Sequence, residues 1–290
     1  MNYNFRMKIY ILGYASDIAA NRRGAAEGPL VMKASEPFNQ LPIQWDTILT
    51  SDSNESGLAA SDTIKTISEK LASHTEALSA QQKPFLTIGG DHSCAIGTWS
   101  GASNALNNQL GLIWIDAHMD AHTPESSHTK NIHGMPIATL LGHGMDALTQ
   151  IGSNTKKIVP ENLVLIGIRS FETPEAELLK QLNVRVYTMD EIKERGLAII
   201  LEEATAIVSK NTRGFGVSID LDGIDPKDAP GVSLQAIDGI RAADLLDNLS
   251  TVAKHPNFIG AEIAEFCPRK DEDQKTEILI AELTKALFGF

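Results

Sequence analysis

Leu112-Ile113-Trp114-Ile115 runs directly into Asp116-Ala117-His118-Met119-Asp120-Ala121-His122. Four apolar residues without alternation make a strand-sized run whose two faces are both covered. Such a strand belongs in a parallel sheet with helices on either side. Chemistry follows it at once, and in parallel α/β folds sites form at the carboxyl ends of strands. Asp116, His118 and Asp120 lie two residues apart, so in extended chain their side chains share one face.

Similar runs recur along the chain: Ile9–Leu12, Trp45–Leu49, Phe85–Ile88, Leu163–Ile168, Val184–Tyr187, Phe215–Ile219 and Phe258–Ile263. Segments of helical period separate them. Ala59–Ala80 spaces Ile64, Ile67, Leu71 and Leu78 on one face, and Pro174–Leu182, Met189–Ser209 and Arg241–Val252 read similarly. The stretch Asp271–Phe290 opens with acids, which suit a helix N-terminus, and then places Ile278, Leu279, Leu283 and Leu287 at helical spacing. No repeat, low-complexity tract or long linker interrupts the series. The expectation is an α/β fold of about eight strands in one domain over 1–290. Periodicity leaves an open sheet and a closed barrel equally open.

Two further strand ends are unusual. Phe85–Ile88 is followed by Gly89-Gly90-Asp91-His92-Ser93, and Val217-Ser218-Ile219 by Asp220-Leu221-Asp222-Gly223-Ile224-Asp225-Pro226. Carboxylates stacked at the end of a buried strand cost several kcal/mol unless a cation compensates. Four carboxylates with two or three imidazoles and no thiolate favour Mn, Fe or Mg over a structural zinc. Four negative charges balance two divalent ions, which carboxylates bridge at about 3.5–4 Å in two-metal sites.

At these residues the chain resembles the ureohydrolase superfamily of arginases, agmatinases and their relatives. The motifs Gly-Gly-Asp-His-Ser, Asp-Ala-His-x-Asp and Ser-x-Asp-x-Asp-x-x-Asp-Pro all occur in the family order. Arg23–Pro29 and Ile166–Arg169 extend the similarity over nearly the whole chain. The resemblance implies a three-layer α/β/α sandwich around a mainly parallel sheet. It implies that His92, Asp116, Asp120 and Asp220 hold one Mn²⁺ and that His118, Asp116, Asp220 and Asp222 hold the second. The same donors also accept Co²⁺ or Fe²⁺. It implies catalytic roles for three residues: Asp120 as proton acceptor, His133 as proton shuttle and Glu265 as partner of the substrate guanidinium. The reaction expected is hydrolysis of a guanidino C–N bond by hydroxide formed from water shared by two ions, whose pKa of 15.7 can fall to about 7. Asp225 is expected to brace the loop and Cys94 to pack. Family members are usually trimers or hexamers, so a homo-oligomer is expected.

The Ile132–Pro136 segment resembles arginases more than agmatinases, which makes L-arginine hydrolysis the leading expectation. Agmatine or another guanidino or formimino compound is the alternative, and a non-catalytic metal-stabilised scaffold the third. The substrate head group is expected to meet His122, Thr129 and Glu172. His122 stands where arginases commonly have Asn, and Glu172 where they have Asp. Ser233-Leu234-Gln235 replaces the usual Gly-Thr-Pro.

Composition narrows the partners. The 290 residues carry 37 acidic against 25 basic side chains, a net charge of −12. Nucleic acids and anionic membranes need clustered Lys and Arg, so neither is expected as a partner. Two cysteines, Cys94 and Cys267, make no disulfide framework, and Met1–Met7 leads into no small-residue cleavage site. The expected setting is the cytoplasm, and the expected partner a small guanidino substrate.

Overall fold

The computed structural model describes residues 8–290. Met1–Met7, on which the leader reading rests, lie outside the described residues. Eight strands form one sheet: β1 (Ile9–Ala15), β2 (Ile43–Thr50), β3 (Phe85–Gly89), β4 (Leu110–Ile115), β5 (Leu163–Ile168), β6 (Arg185–Thr188), β7 (Gly214–Asp220) and β8 (Phe258–Ala264). Every one of the apolar runs is a strand. The sheet is open, with order β2-β1-β3-β8-β7-β4-β5-β6, and all its named pairings are parallel.

Side chains alternate between two cores. On one face Ile113, Ile115, Val217 and Ile219 pack with the helices Leu197–Ser209, Ala242–Ala253 and Lys275–Phe288. On the other, Leu112, Trp114 and Leu165 pack with Ser61–Ala80 and Cys94–Ala105. Both faces are thus covered, as continuous apolar strands require.

Helix boundaries differ from expectation in three places. Met189–Ser209 is two helices, Met189–Arg195 and Leu197–Ser209, because Gly196 takes φ 86° and ψ 143°, outside helical space. The final helix begins at Lys275. Asp271 lies before it and accepts the Thr276 and Glu277 backbone N–H groups at 2.9 and 3.0 Å, capping the end from outside. Helix Cys94–Ala105 carries no amphipathic signal, because nearly all of it is buried.

The strand order positions the site. β3, β8, β7 and β4 are consecutive neighbours, so their carboxyl ends bring His92, Glu265, Asp220 and Asp116 to one sheet edge. The β3 end fits tightly there. The Gly90 N–H donates to Tyr14 O at 2.7 Å, and a Cβ on Gly90 would fall deep inside the Ser16 carbonyl oxygen. No helix of the described residues is long and apolar enough to cross a membrane.

Candidate metal centre and active site

Two groups of ligand-type atoms meet at the sheet edge. His92, Asp116 and Asp220 form one, and Asp116, His118 and Asp222 the other, with the atoms of each within 4.8 Å of one another. His92 Nδ1 lies 3.2 Å from Asp116 Oδ2, 3.1 Å from Asp220 Oδ2 and 3.3 Å from Asp120 Oδ2. Asp120 touches the first group through His92 alone and is not among the atoms that lie within 4.8 Å of one another. His118 Nδ1 lies 3.1 Å from Asp222 Oδ2 and 3.5 Å from Asp116 Oδ1. Asp116 thus turns one oxygen to each group, as a bridging carboxylate would. Asp220 turns Oδ2 to His92, while its Oδ1 accepts the Asp222 N–H at 2.8 Å.

Cation binding fits the donor chemistry. His92 Nδ1 is buried and makes no hydrogen bond. Its other nitrogen, Nε2, sits 3.0 Å from Ser218 Oγ, and the Ser218 hydroxyl donates to Glu262 Oε1 at 2.8 Å. In the neutral ring, with Nε2–H donating into that chain, the lone pair falls on Nδ1 and faces the carboxylates. Metal-ligating imidazoles are commonly oriented in this way. Trp114 completes the frame: its indole N–H donates to Asp116 Oδ2 at 2.9 Å, and its ring stacks on His92 at 3.9 Å.

The electrostatics of the bare cluster point the same way. Burial, then the Asp116 charge, raises Asp120 to about 6. Burial would lower His118, but Asp222 and Asp116 outweigh it and hold the imidazole up at about 12. His92 is likewise held well above its ordinary value by Asp116, Asp120 and Asp220 against the pull of burial. Asp120 and Glu265 adopt φ of 47° and 68°, a left-handed backbone uncommon for residues with a side chain.

Glu265 and His133 form a second pair beside the cluster. Glu265 Oε1 accepts the His92 backbone N–H at 3.0 Å and lies 3.2 Å from His133 Nδ1. Burial would lower His133, but Glu265 raises it to about 9. Behind this pair, Asp91 accepts the Ala19 N–H at 2.8 Å and the Ser93 N–H at 3.1 Å, holding the His92 loop.

Members of both ligand groups and the Glu265–His133 pair open onto one cavity of 430 Å³, lined by His118, Asp120, His133, Asp220, Asp222 and Glu265 on the cluster side, while His92 and Asp116 lie buried behind it. His122, Thr129 and Glu172 line it too, with Ser233 and Leu234 from the divergent loop. His122 Nε2 lies 3.2 Å from Glu175 Oε2, and Nδ1 lies 3.1 Å from Ser126 Oγ. Asp225 accepts the Lys227 N–H and lies in neither ligand group, and Cys94 is buried at a helix start. His128 and His74 are exposed or partly exposed, whereas His255 packs its edge on Phe215.

Sequence reading missed four residues. Glu262 is a lone acid inside an apolar strand, a signal that could have been used. Ser218 lies within a quoted motif. Trp114 and Glu175 carry no one-dimensional mark. Glu175 accepts the Ala121 and Glu172 N–H groups, at 3.1 and 2.9 Å, and so ties the two sides of the mouth.

Known proteins share this sequence and architecture. Residues 7–289 match the model of the Arginase family. The chain is 36% identical to an arginase of Bacillus caldovelox over 97% of its length and 98% of the relative's. It is 37% identical to an arginase of Brevibacillus brevis, covering 96% and 97%. The crystal structure of arginase from Bacillus subtilis superposes with a TM-score of 0.91 at 33% identity, covering 98% of this chain and 99% of that one. The motifs, the parallel sheet and these full-length matches together make the chain a member of the arginase family, within the ureohydrolases that cleave guanidino C–N bonds.

Proposed function

We propose that the protein is an arginase that converts L-arginine and water to L-ornithine and urea, with two Mn²⁺ ions in the acid cluster. One observation carries the reading: a single cavity joins the two ligand groups that share Asp116 to the Glu265–His133 pair. Two divalent ions held by His92, Asp116, Asp120, His118, Asp220 and Asp222 would supply a water acidic enough to act as nucleophile at neutral pH.

The remaining work falls to the chain's own side chains. Glu265 keeps Oε1 on His92 N–H and His133, which leaves Oε2 to accept a guanidinium N–H. Asp120 takes the proton that the nucleophile still carries after it bonds to the guanidinium carbon. His133, held protonated by Glu265, supplies a proton to the leaving amine nitrogen. The C–N bond then breaks to give urea and the free amine.

Relatives named arginase at 36% and 37% identity support arginine as the substrate. A guanidino amine is the second reading, favoured by the acids Glu172 and Glu175 in the cavity lining. The test is urea release from purified, Mn²⁺-loaded protein offered L-arginine and agmatine separately. Urea from arginine is expected. Urea from agmatine alone replaces the first reading with the second. Metal-dependent thermal stabilisation without urea from any guanidino compound rejects both.

A further inference from the structure

Asn21-Arg22-Arg23-Gly24 sends two adjacent arginines to different partners. Arg23 pairs with Asp17 at 3.0 Å. Arg22 lines the cavity and has no carboxylate partner among the described residues. Its side-chain hydrogen bond runs to the Ser233 carbonyl oxygen at 3.1 Å, across the mouth. That loop is where the chain reads Ser233-Leu234-Gln235.

The charge around the cavity is uneven. Arg22 is the one Lys or Arg side chain lining it. The acids of the cluster side and Glu265 suit a cationic guanidinium. At the mouth, Glu175 is already engaged by His122 and two backbone N–H groups, and Glu172 stands near His122 and His128. Arg22, exposed at the mouth, carries a permanent positive charge with no carboxylate partner among the described residues. A molecule that matches both ends carries a guanidinium at one end and a carboxylate at the other. A guanidino amine is cationic at both ends and meets Arg22 as a like charge.

Resting on the arginase reading, we propose that Arg22 binds the substrate's carboxylate and so selects guanidino acids over guanidino amines. Arg22 can turn to a carboxylate without orphaning the loop, because Lys270 Nζ also holds the Ser233 carbonyl oxygen, at 2.7 Å. A guanidinium is suited to the task, since it presents paired donors to the two oxygens of a carboxylate.

The test compares kcat/KM for L-arginine with that for agmatine in the Mn²⁺-loaded wild type, Arg22→Gln and Arg22→Lys. The expected result is a fall in the arginine-to-agmatine ratio of about 5- to 10-fold in Arg22→Gln, carried by KM for arginine, with most of it restored in Arg22→Lys. An arginine that only clasped the Ser233 loop would weaken both substrates alike, and an unchanged ratio in Arg22→Gln overturns the proposal. Wild-type turnover of agmatine in preference to arginine overturns it as well. No urea from any guanidino compound is a different result, which removes the arginase reading itself and this inference with it.

Discussion

Trp114→Phe isolates one contact that sequence reading did not find. The indole N–H donates to Asp116 Oδ2 at 2.9 Å, while the ring stacks on His92 with planes 12° apart. Both partners are buried. Phenylalanine keeps an aromatic face against the imidazole and removes the donor. A buried hydrogen bond to a charged group is worth about 1.5–3 kcal/mol. The smaller ring leaves a void that adds of order 1 kcal/mol. The metal-free variant should therefore lose about 2–4 kcal/mol, which for a chain of this size lowers Tm by roughly 4–8 °C. Loss of an outer partner of a metal ligand commonly costs 10- to 100-fold in affinity, so Mn²⁺ binding should weaken by about that factor. Thermal unfolding without metal and competition against a fluorescent chelator measure the two quantities separately. Affinity within twofold of wild type, with Tm within about 1 °C, would refute the view that Trp114 anchors the shared carboxylate.

Three other predictions concern charge. His133 has its folded-state pKa raised to about 9, so its pairing with Glu265 stabilises the metal-free fold fully below about pH 6.5 and fades as pH rises through about 9. His133→Ala should flatten stability over that window by of order 1–2 kcal/mol and cut kcat by at least about 100-fold while metal content stays at wild type; lost metal would contradict the role. Metal loading should expel protons, because the neighbouring carboxylates hold His118 up at about 12 and raise His92 in the bare cluster, and an imidazole must be neutral to ligate. Calorimetry at pH 8 in buffers of different ionisation enthalpy should count at least one proton released per chain, and a count of zero would show that His118 is already neutral in the bare cluster. Glu265→Gln should raise KM for the guanidino substrate about tenfold or more; an unchanged KM and kcat would remove Glu265 from the substrate.

The sequence determined the eight strands, because the central ones are covered on both faces and so read as mostly apolar runs, while the half-exposed edge strands β2 and β6 still carry strand-sized apolar stretches. It also determined the ligand types at three strand ends. Helix Cys94–Ala105 escaped for the converse reason: a helix buried all round has no polar stripe to give it a period. The break at Gly196 escaped because apolar spacing continues across it.

Only tertiary structure decided how those strand ends meet. Asp116 and Asp220 are far apart in the chain and become neighbours because β4 and β7 pair in register, Ile115 against Ile219. Glu265 reaches the His92 backbone because β8 pairs with β3. The same order sets Ser218 and Glu262 behind His92, and so fixes which nitrogen faces the carboxylates. Arg22 and Ser233 lie on loops that approach each other only once the sheet is assembled. Residue chemistry can be read along one dimension, whereas the direction and partner of each side chain depend on strand order, which local hydrophobic pattern does not encode.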